Sequence, residues 1–252
     1  MIVGVILAAG KGTRMNSTGV NKTSLLFNGK PIIQYGVDLY KETTDKTVVV
    51  VGAFAQSIQQ VLSGQEVTFV EQHDQLGTGH AVVAAVNAIE QKGWRPQSVL
   101  VGYGDHMMFY LPETARKLIR NQQEQHTALS LVTADYERTD EMRFGRIVRD
   151  EKGFVKAIVE HKDATEEERK ITEFNPGFYC FDYGFLKNNI AKIEISPVSG
   201  EYYVTDMIAL AVKAGQKVAA LQVPFSEIGL GINTAAELTE SREMYKTTRR
   251  DG

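Results

Sequence analysis

The chain has a single cysteine, Cys180, in 252 residues, so no intrachain disulfide can brace it and its stability must come from buried apolar surface. Cys180 stands among Phe178, Tyr179 and Phe181, which predicts a buried strand position, not a nucleophile, in a reducing compartment. No Pro/Ser-rich linker, repeat or low-complexity tract divides the chain, so its parts are expected to share one sheet and fold together. No apolar run approaches the length of a membrane span. The apolar start has no basic region before it and runs straight into glycines, unlike a signal peptide, and a cytoplasmic protein is expected. A net charge of -3 gives no bulk attraction to nucleic acid or to an anionic membrane, so any phosphate must be held by locally placed cations. His73, His80, His106 and His161 lack H-x-x-x-H spacing or paired cysteines; this excludes a zinc site and leaves them as polar neighbours of other groups.

What is present is an ordinary globular composition, 43% hydrophobic and 23% charged, in a chain long enough to bury roughly three quarters of its unfolded surface. Short β-branched runs alternate with helical patterns through the first half, the signature of βαβ units. Strands are predicted at Ile2 to Leu7, Thr47 to Val51, Val67 to Val70, Val99 to Gly102 and Ala128 to Ala134. Helices are predicted near Pro31 to Tyr40, Ala55 to Leu62, Gly79 to Gln91 and Pro112 to Gln125, with Pro31 and Pro112 in first turns. After about Asp135 the pattern changes to hairpin-like strands, Gly145 to Arg149 and Val155 to Glu160, turning at Asp150-Glu151-Lys152-Gly153. The charged stretch Asp163 to Lys170 follows. A strand from Phe174 to Phe181, helices at Tyr183 to Ile190 and Val204 to Ala214, a strand at Val218 to Val223 and a helix from Thr234 complete the reading. The predicted class is α/β: a Rossmann-like, mostly parallel mixed sheet with helices on both faces and a small antiparallel insertion. One domain, 1-252, is expected, with lobes at about 1-134 and 135-233 and a closing helix over 234-250.

The first strand breaks into Ala8-Ala9-Gly10-Lys11-Gly12-Thr13-Arg14-Met15, with Lys22 close behind. Small residues let backbone N–H groups approach phosphate oxygens, and Lys11, Arg14 and Lys22 can neutralise charge that those dipoles only partly cover. A P-loop is absent, and the dinucleotide pattern G-x-G-x-x-G fails at Met15, which removes the usual evidence for kinases and simple dehydrogenases. A second loop, Gln72 to Ala81, follows a strand and opens a helix. Its Gln72 can read both donor and acceptor on a base edge, Gly77 and Gly79 are expected to leave room for a flat base, and Thr78 is expected to cap the helix. A third, Val99 to Asp105, delivers a carboxylate at a strand's carboxyl end, where ligands sit in open parallel sheets and where a hard cation such as Mg²⁺ would take a protein oxygen.

These motifs, with Phe144-Gly145-Arg146-Ile147, Val159-Glu160-His161-Lys162-Asp163-Ala164-Thr165, Glu173-Phe174-Asn175-Pro176-Gly177, Gly200-Glu201-Tyr202-Tyr203-Val204-Thr205-Asp206 and Gly231-Ile232-Asn233, resemble the uridylyltransferase domain of bifunctional N-acetylglucosamine-1-phosphate uridyltransferases. The resemblance runs from Val5 to about Glu237. It implies a loop formed by Leu7, Ala8, Ala9, Gly10, Gly12, Thr13 and Arg14 around a nucleoside triphosphate, with Lys22 on phosphate and Arg14 and Lys22 as the catalytic cations. Gln72, Gly77 and Thr78 match uracil-recognising positions, and Asp105 and Asn233 match the two protein ligands of Mg²⁺. Tyr103, Gly104, Gly145, Glu160, Asn175 and Thr205 match the sugar-binding side.

The implied reaction is attack of a sugar-1-phosphate oxygen on the α-phosphorus of UTP, giving a UDP-sugar and pyrophosphate, with N-acetylglucosamine-1-phosphate the expected acceptor. The alternatives are uridylyl or thymidylyl transfer to another sugar-1-phosphate such as glucose-1-phosphate, or a non-catalytic nucleotide-sugar-binding regulator. UTP and a sugar-1-phosphate are thus the expected partners, without nucleic acid or membrane, and both monomer and homodimer stay open. The hexapeptide-repeat acetyltransferase domain is absent from this sequence, so acetyl transfer is not implied. Three departures stand out. Pro-Lys becomes Asn21-Lys22, which removes a φ restraint and predicts a more mobile lysine turn. Asp-Val-Pro-Leu becomes Asp105-His106-Met107-Met108, predicting a bulky pair beside the metal. Asn-Thr-Gly becomes Asn175-Pro176-Gly177, removing a hydroxyl and a donor while keeping Asn175 extended.

Overall fold

The computed structural model describes residues 1–10, 12, 19–137, 144–161 and 163–248. Thr13 and Arg14, with Lys11 and Met15, lie outside the described residues, as do Arg249 and Arg250.

The chain begins with β1 (Ile2–Ala8), a small ribbon of β2 (Leu26–Phe27) and β3 (Lys30–Pro31), then α1 (Ile32–Thr43), β4 (Lys46–Val51), α2 (Ala55–Val61), β5 (Thr68–Glu71) and α3 (Thr78–Gln91). It continues through β6 (Ser98–Tyr103), α4 (Pro112–Glu124), β7 (Leu129–Asp135), β8 (Gly145–Arg149), β9 (Val155–Val159) and α5 (Glu166–Arg169). The last part holds β10 (Glu173–Asn175), β11 (Phe178–Asp182), α6 (Tyr183–Asn189), α7 (Asp206–Lys213), β12 (Val218–Gln222) and α8 (Ala235–Thr248).

Among the described residues ten strands form one sheet in the order β5-β4-β1-β6-β11-β7-β10-β8-β9, with β12 paired to β7. The strands β5, β4, β1 and β6 run parallel, as helical crossovers require, and β11 is antiparallel to both β6 and β7. This mixed sheet is the α/β class read from the sequence. β1 and β4 are almost wholly buried apolar runs because helices cover both faces. Val82, Ala85 and Ile89 of α3 pack on one face with Val5, Val48 and Val101. Val37 and Tyr40 of α1 pack on the other with Ile6, Val49 and Leu100. Cys180 is fully buried in β11, as expected.

Three local expectations change. Pro31 is not inside a first turn; it closes β3 and sits just before α1. The strand expected over Phe174 to Phe181 is two strands, β10 and β11, separated by Pro176 and Gly177. Proline has no N–H for the ladder, and Gly177 takes φ +85 with its Cα against the Tyr103 ring, where any Cβ would lie 2.3 Å from a ring carbon. Met107 and Met108 do not form a bulky pair at the cleft beside Asp105, because each is buried in the core, Met107 against Gly36 and Gly102 and Met108 with Phe27, Phe109 and Ile232.

Candidate functional site

The carboxyl ends of β1 and β6 open onto a cleft of about 610 Å³, within the size range of small-molecule sites. Residues 7–10 and 12, Gln72, Gly77 and Thr78, and Lys22, Tyr103, Asp105 and Asn233 all line it. The glycine-rich turn, the Gln72 loop, the Asp105 strand end and Asn233 are therefore gathered around one space, whereas Gly104, Gly145, Glu160, Asn175 and Thr205 are not among its lining residues.

At its centre the Lys22 ammonium pairs with the Asp105 carboxylate and donates to Asn233 Oδ1 at 3.1 Å and to the Ile232 carbonyl at 3.1 Å. Burial alone would raise the Asp105 carboxyl, but the charge and hydrogen bond of Lys22 outweigh it and hold Asp105 below its ordinary value. Asn233 is oriented by reciprocal capping at the start of α8. Its N–H and that of Thr234 donate to Glu237 Oε2, at 2.7 and 2.8 Å, and the Glu237 N–H returns to Thr234 Oγ1 at 3.1 Å. Asp105 and Asn233 thus converge on one cation-sized position although 128 residues separate them in number. His106 behind them is buried and stacked on Phe144, with Nε2 3.1 Å from the Gly229 carbonyl. Burial holds its ring below the usual histidine range.

Gln72 is buried at the end of β5. Its Nε2 donates to the Gly77 carbonyl at 2.9 Å and lies 3.1 Å from His80 Nδ1, so its carbonyl Oε1 is the group available to a ligand. Gly77 lines the cleft, and the side-chain direction of both glycines is closed off on the other side. A Cβ on Gly77 would fall 2.5 Å from the Tyr202 carbonyl, and Gly79 donates its N–H to that carbonyl at 2.8 Å. The Glu201-Tyr202 segment fills that space, and Gly77 is required there by φ +101. Thr78 is not the helix cap. Gly77 holds the cap position, and Thr78 Oγ1 instead accepts the Val204 N–H at 3.0 Å.

Thr78 also donates to the hydroxyl of Tyr103, which accepts a second bond from Tyr179; Asn175 Nδ2 donates to Tyr179 Oη at 2.8 Å. Burial pushes the Tyr103 phenol up to about 12, against the lowering effect of those two donors. Glu160 bonds Thr205 and stands beside Gly145. Burial, then the charges of Asp163 and Asp206, raise its carboxyl. Gly104 lies against β1, donating its N–H to the Leu7 carbonyl at 2.9 Å. Sequence reading overlooked Tyr179, because only the register Tyr179↔Val101 between β11 and β6 brings it beside Tyr103. It also missed the work of Asn21, whose carboxamide donates to the Ala8 and Ala53 carbonyls and accepts the Thr23 N–H.

The model of the MobA-like NTP transferase domain matches residues 4–214. The chain belongs to that family. The NTP transferase domain is 40% identical over 244 residues to the bifunctional protein GlmU of Caldicellulosiruptor saccharolyticus, covering 96% of this chain and 51% of that protein. It is 38% identical over 243 residues to GlmU of Halalkalibacterium halodurans, covering 96% and 52%. The Lactobacillus johnsonii GlmU gives 39% over 243 residues, 96% and 51%. The domain therefore spans about half the length of the curated relatives it matches. A solved structure from Bacillus anthracis, described as a glucose-1-phosphate thymidylyltransferase in complex with a sucrose, aligns with a TM-score of 0.75 at 20% identity, covering 97% of this chain and 95% of that one. At that identity the likeness concerns the fold.

Proposed function

We propose that this NTP transferase domain moves a uridylyl group from UTP to a sugar-1-phosphate, with N-acetylglucosamine-1-phosphate the first choice of acceptor, and releases pyrophosphate. The observation that carries the reading is the convergence of Lys22, Asp105 and Asn233 in the cleft that also holds Gln72 and the glycine-rich loop. With Nε2 already engaged, Gln72 Oε1 offers an acceptor, which suits the N3–H of uracil or thymine and not the unprotonated N3 of cytosine.

In the reaction an oxygen of the sugar phosphate bonds to the α-phosphorus as the bond from that phosphorus to the bridging oxygen of the leaving pyrophosphate breaks. The attacking group is already an anion at neutral pH, so no side-chain nucleophile is needed. The protein's task is to align two repelling anions and to stabilise the charge that develops between them. Lys22 and, by resemblance, Arg14 supply cations on the phosphates, while Tyr103, Glu160, Asn175 and Thr205 form the acceptor side. Asp105, Asn233 and the Ile232 carbonyl form an all-oxygen set that already surrounds an ammonium, and it fits Mg²⁺. Among the described residues no group of three or more His, Cys, Asp or Glu is placed to hold a metal, so the remaining ligands would be phosphate and water. When bound, Mg²⁺ supplies charge neutralisation on the phosphoryl oxygens.

A second acceptor has support in the geometry. Asn175 uses Nδ2 on Tyr179 and Oδ1 on the Gly177 N–H at 3.1 Å, leaving less of it for a 2-acetamido group and favouring glucose-1-phosphate. Pyrophosphate release across UTP, dTTP, CTP and ATP, each with N-acetylglucosamine-1-phosphate and glucose-1-phosphate, with Mg²⁺ or EDTA, decides between them. Release with UTP and one sugar phosphate, abolished by EDTA, is expected; no release from any pair would sink the reading. Among the described residues no helix is long and apolar enough to cross a membrane, and a cytoplasmic setting suits such substrates.

A further inference from the structure

Asn21 precedes the lysine of the site and is 1% exposed. Its Nδ2 donates to the carbonyls of Ala8 at 3.0 Å, Gly10 at 3.1 Å and Ala53 at 3.1 Å. Its Oδ1 accepts the Thr23 N–H at 3.0 Å and the Thr23 hydroxyl at 2.8 Å, capping the short turn Lys22–Ser24. The Asn21 N–H donates to Ser57 Oγ at 2.9 Å and its carbonyl accepts from Ser24 Oγ at 2.6 Å. The Ala9 carbonyl is held as well, by the Ala53 N–H at 3.2 Å. All three carbonyls of Ala8, Ala9 and Gly10 are therefore bound by protein donors. A carbonyl facing the cleft would repel a phosphate, and in a trans peptide the N–H points opposite its carbonyl, so fixing the Ala8 and Ala9 oxygens orients the N–H groups of Ala9 and Gly10.

We propose that Asn21 is the positioning residue for the polyphosphate: one carboxamide holds the Ala8 and Gly10 carbonyls, where the glycine-rich loop begins, with its nitrogen and sets the Lys22 turn with its oxygen. Loop and ammonium are thereby placed relative to each other before any ligand arrives. The more mobile lysine turn expected from the loss of proline is the opposite of what the carboxamide does. Its φ of -71 already lies in proline's range, and the hydrogen bonds add what a proline ring cannot. The inference rests on the reading of this cleft as a triphosphate site.

The test is calorimetric binding of inorganic tripolyphosphate to the full chain and to Asn21→Asp, Asn21→Ala and Asn21→Pro, each checked for a folded near-ultraviolet signal. Asn21→Asp keeps the acceptor for Thr23 but turns an anion toward three carbonyls, and at least tenfold weaker binding is expected. Should that variant not fold, Asn21→Ala removes the same donors without a buried charge. Asn21→Pro keeps φ and is expected to bind as poorly as Asn21→Ala. Binding by Asn21→Pro at the level of the unsubstituted chain would show that φ alone positions the loop and overturn the inference. Equal binding by folded Asn21→Ala would remove Asn21 from the role while leaving the phosphate reading intact. No binding to the unsubstituted chain would remove both.

Discussion

Lys22 was legible from the sequence as a cation behind a glycine-rich turn, and Asp105 as a carboxylate at a strand end, because both depend on local order along the chain. Their meeting with Asn233 was not readable from spacing; it depends on α8 returning to the mouth of the sheet. A cation about 4 Å from a phosphate oxygen interacts by roughly 4 kcal/mol at an effective dielectric near 20, of which only the excess in the transition state accelerates reaction. Lys22→Ala should lower kcat/KM by about 10² to 10³, or roughly 3 to 4 kcal/mol; steady-state kinetics showing less than a tenfold loss would put the phosphates elsewhere. Glu160 gives a prediction of opposite sign for stability. Its carboxyl is raised from an ordinary 4.5 by burial and by Asp163 and Asp206, so the folded state favours the protonated form. That contribution is complete below 4.5 and is lost as pH rises through the raised value. Glu160→Gln keeps an acceptor for Thr205 without the charge, and should raise Tm at pH 7 while weakening acceptor binding. The Tm gain should vanish in melts at pH 4, and a variant less stable at pH 7 would contradict the assignment.

At the scale of elements, β1, β4, β6, α3 and α4 fall close to where periodicity put them, since each has one strongly apolar face or run. The misreadings lie where a single backbone group decides. Pro176 and Gly177 interrupt β10 and β11, and the five-residue run before α7 docks on the loop before α3 by backbone bonds, Tyr202 N–H to Leu76 carbonyl and Gly79 N–H to Tyr202 carbonyl, both 2.8 Å. No side-chain pattern announces such contacts. They do make Gly77 testable against Gly64. Both have positive φ, +101 and +80, but a Cβ on Gly77 meets Tyr202 and Glu201 at 2.5 and 2.9 Å while one on Gly64 meets nothing within 4 Å. Gly64→Ala should cost about 1 kcal/mol of backbone strain. Gly77→Ala adds overpacking of about 1 to 3 kcal/mol, and because the Gly77 carbonyl holds Gln72 it should also raise KM for the nucleotide. Chemical denaturation of the two variants compares them directly, and equal losses would mean that the Tyr202 segment yields freely.

For the whole molecule, the expectation of two lobes on one sheet turns on β11. This strand is fifth in the sheet order, pairs antiparallel with β6 from the first half and with β7 from the second, and is buried on both faces. Tyr179 and Phe181 pack with Val99 and Val101 on one face, and Phe178 and Cys180 with Tyr40 and Leu100 on the other. Opening the seam between the halves therefore exposes both cores together, and neither half keeps a closed sheet edge there. One cooperative transition is expected, although the chain is larger than most strictly two-state domains. Two native probes report on different halves. Trp94 lies in the first half, just after α3, and packs on the core beneath that helix, so its fluorescence reads that half, while Cys180 is fully buried in β11 and reacts with a thiol reagent only when the seam opens. Urea titrations read by Trp94 emission and by pulsed labelling of Cys180 should give the same midpoint. Labelling of Cys180 at a urea concentration where Trp94 is still native would mean that the second half detaches on its own, and the molecule would then be two units joined along β11.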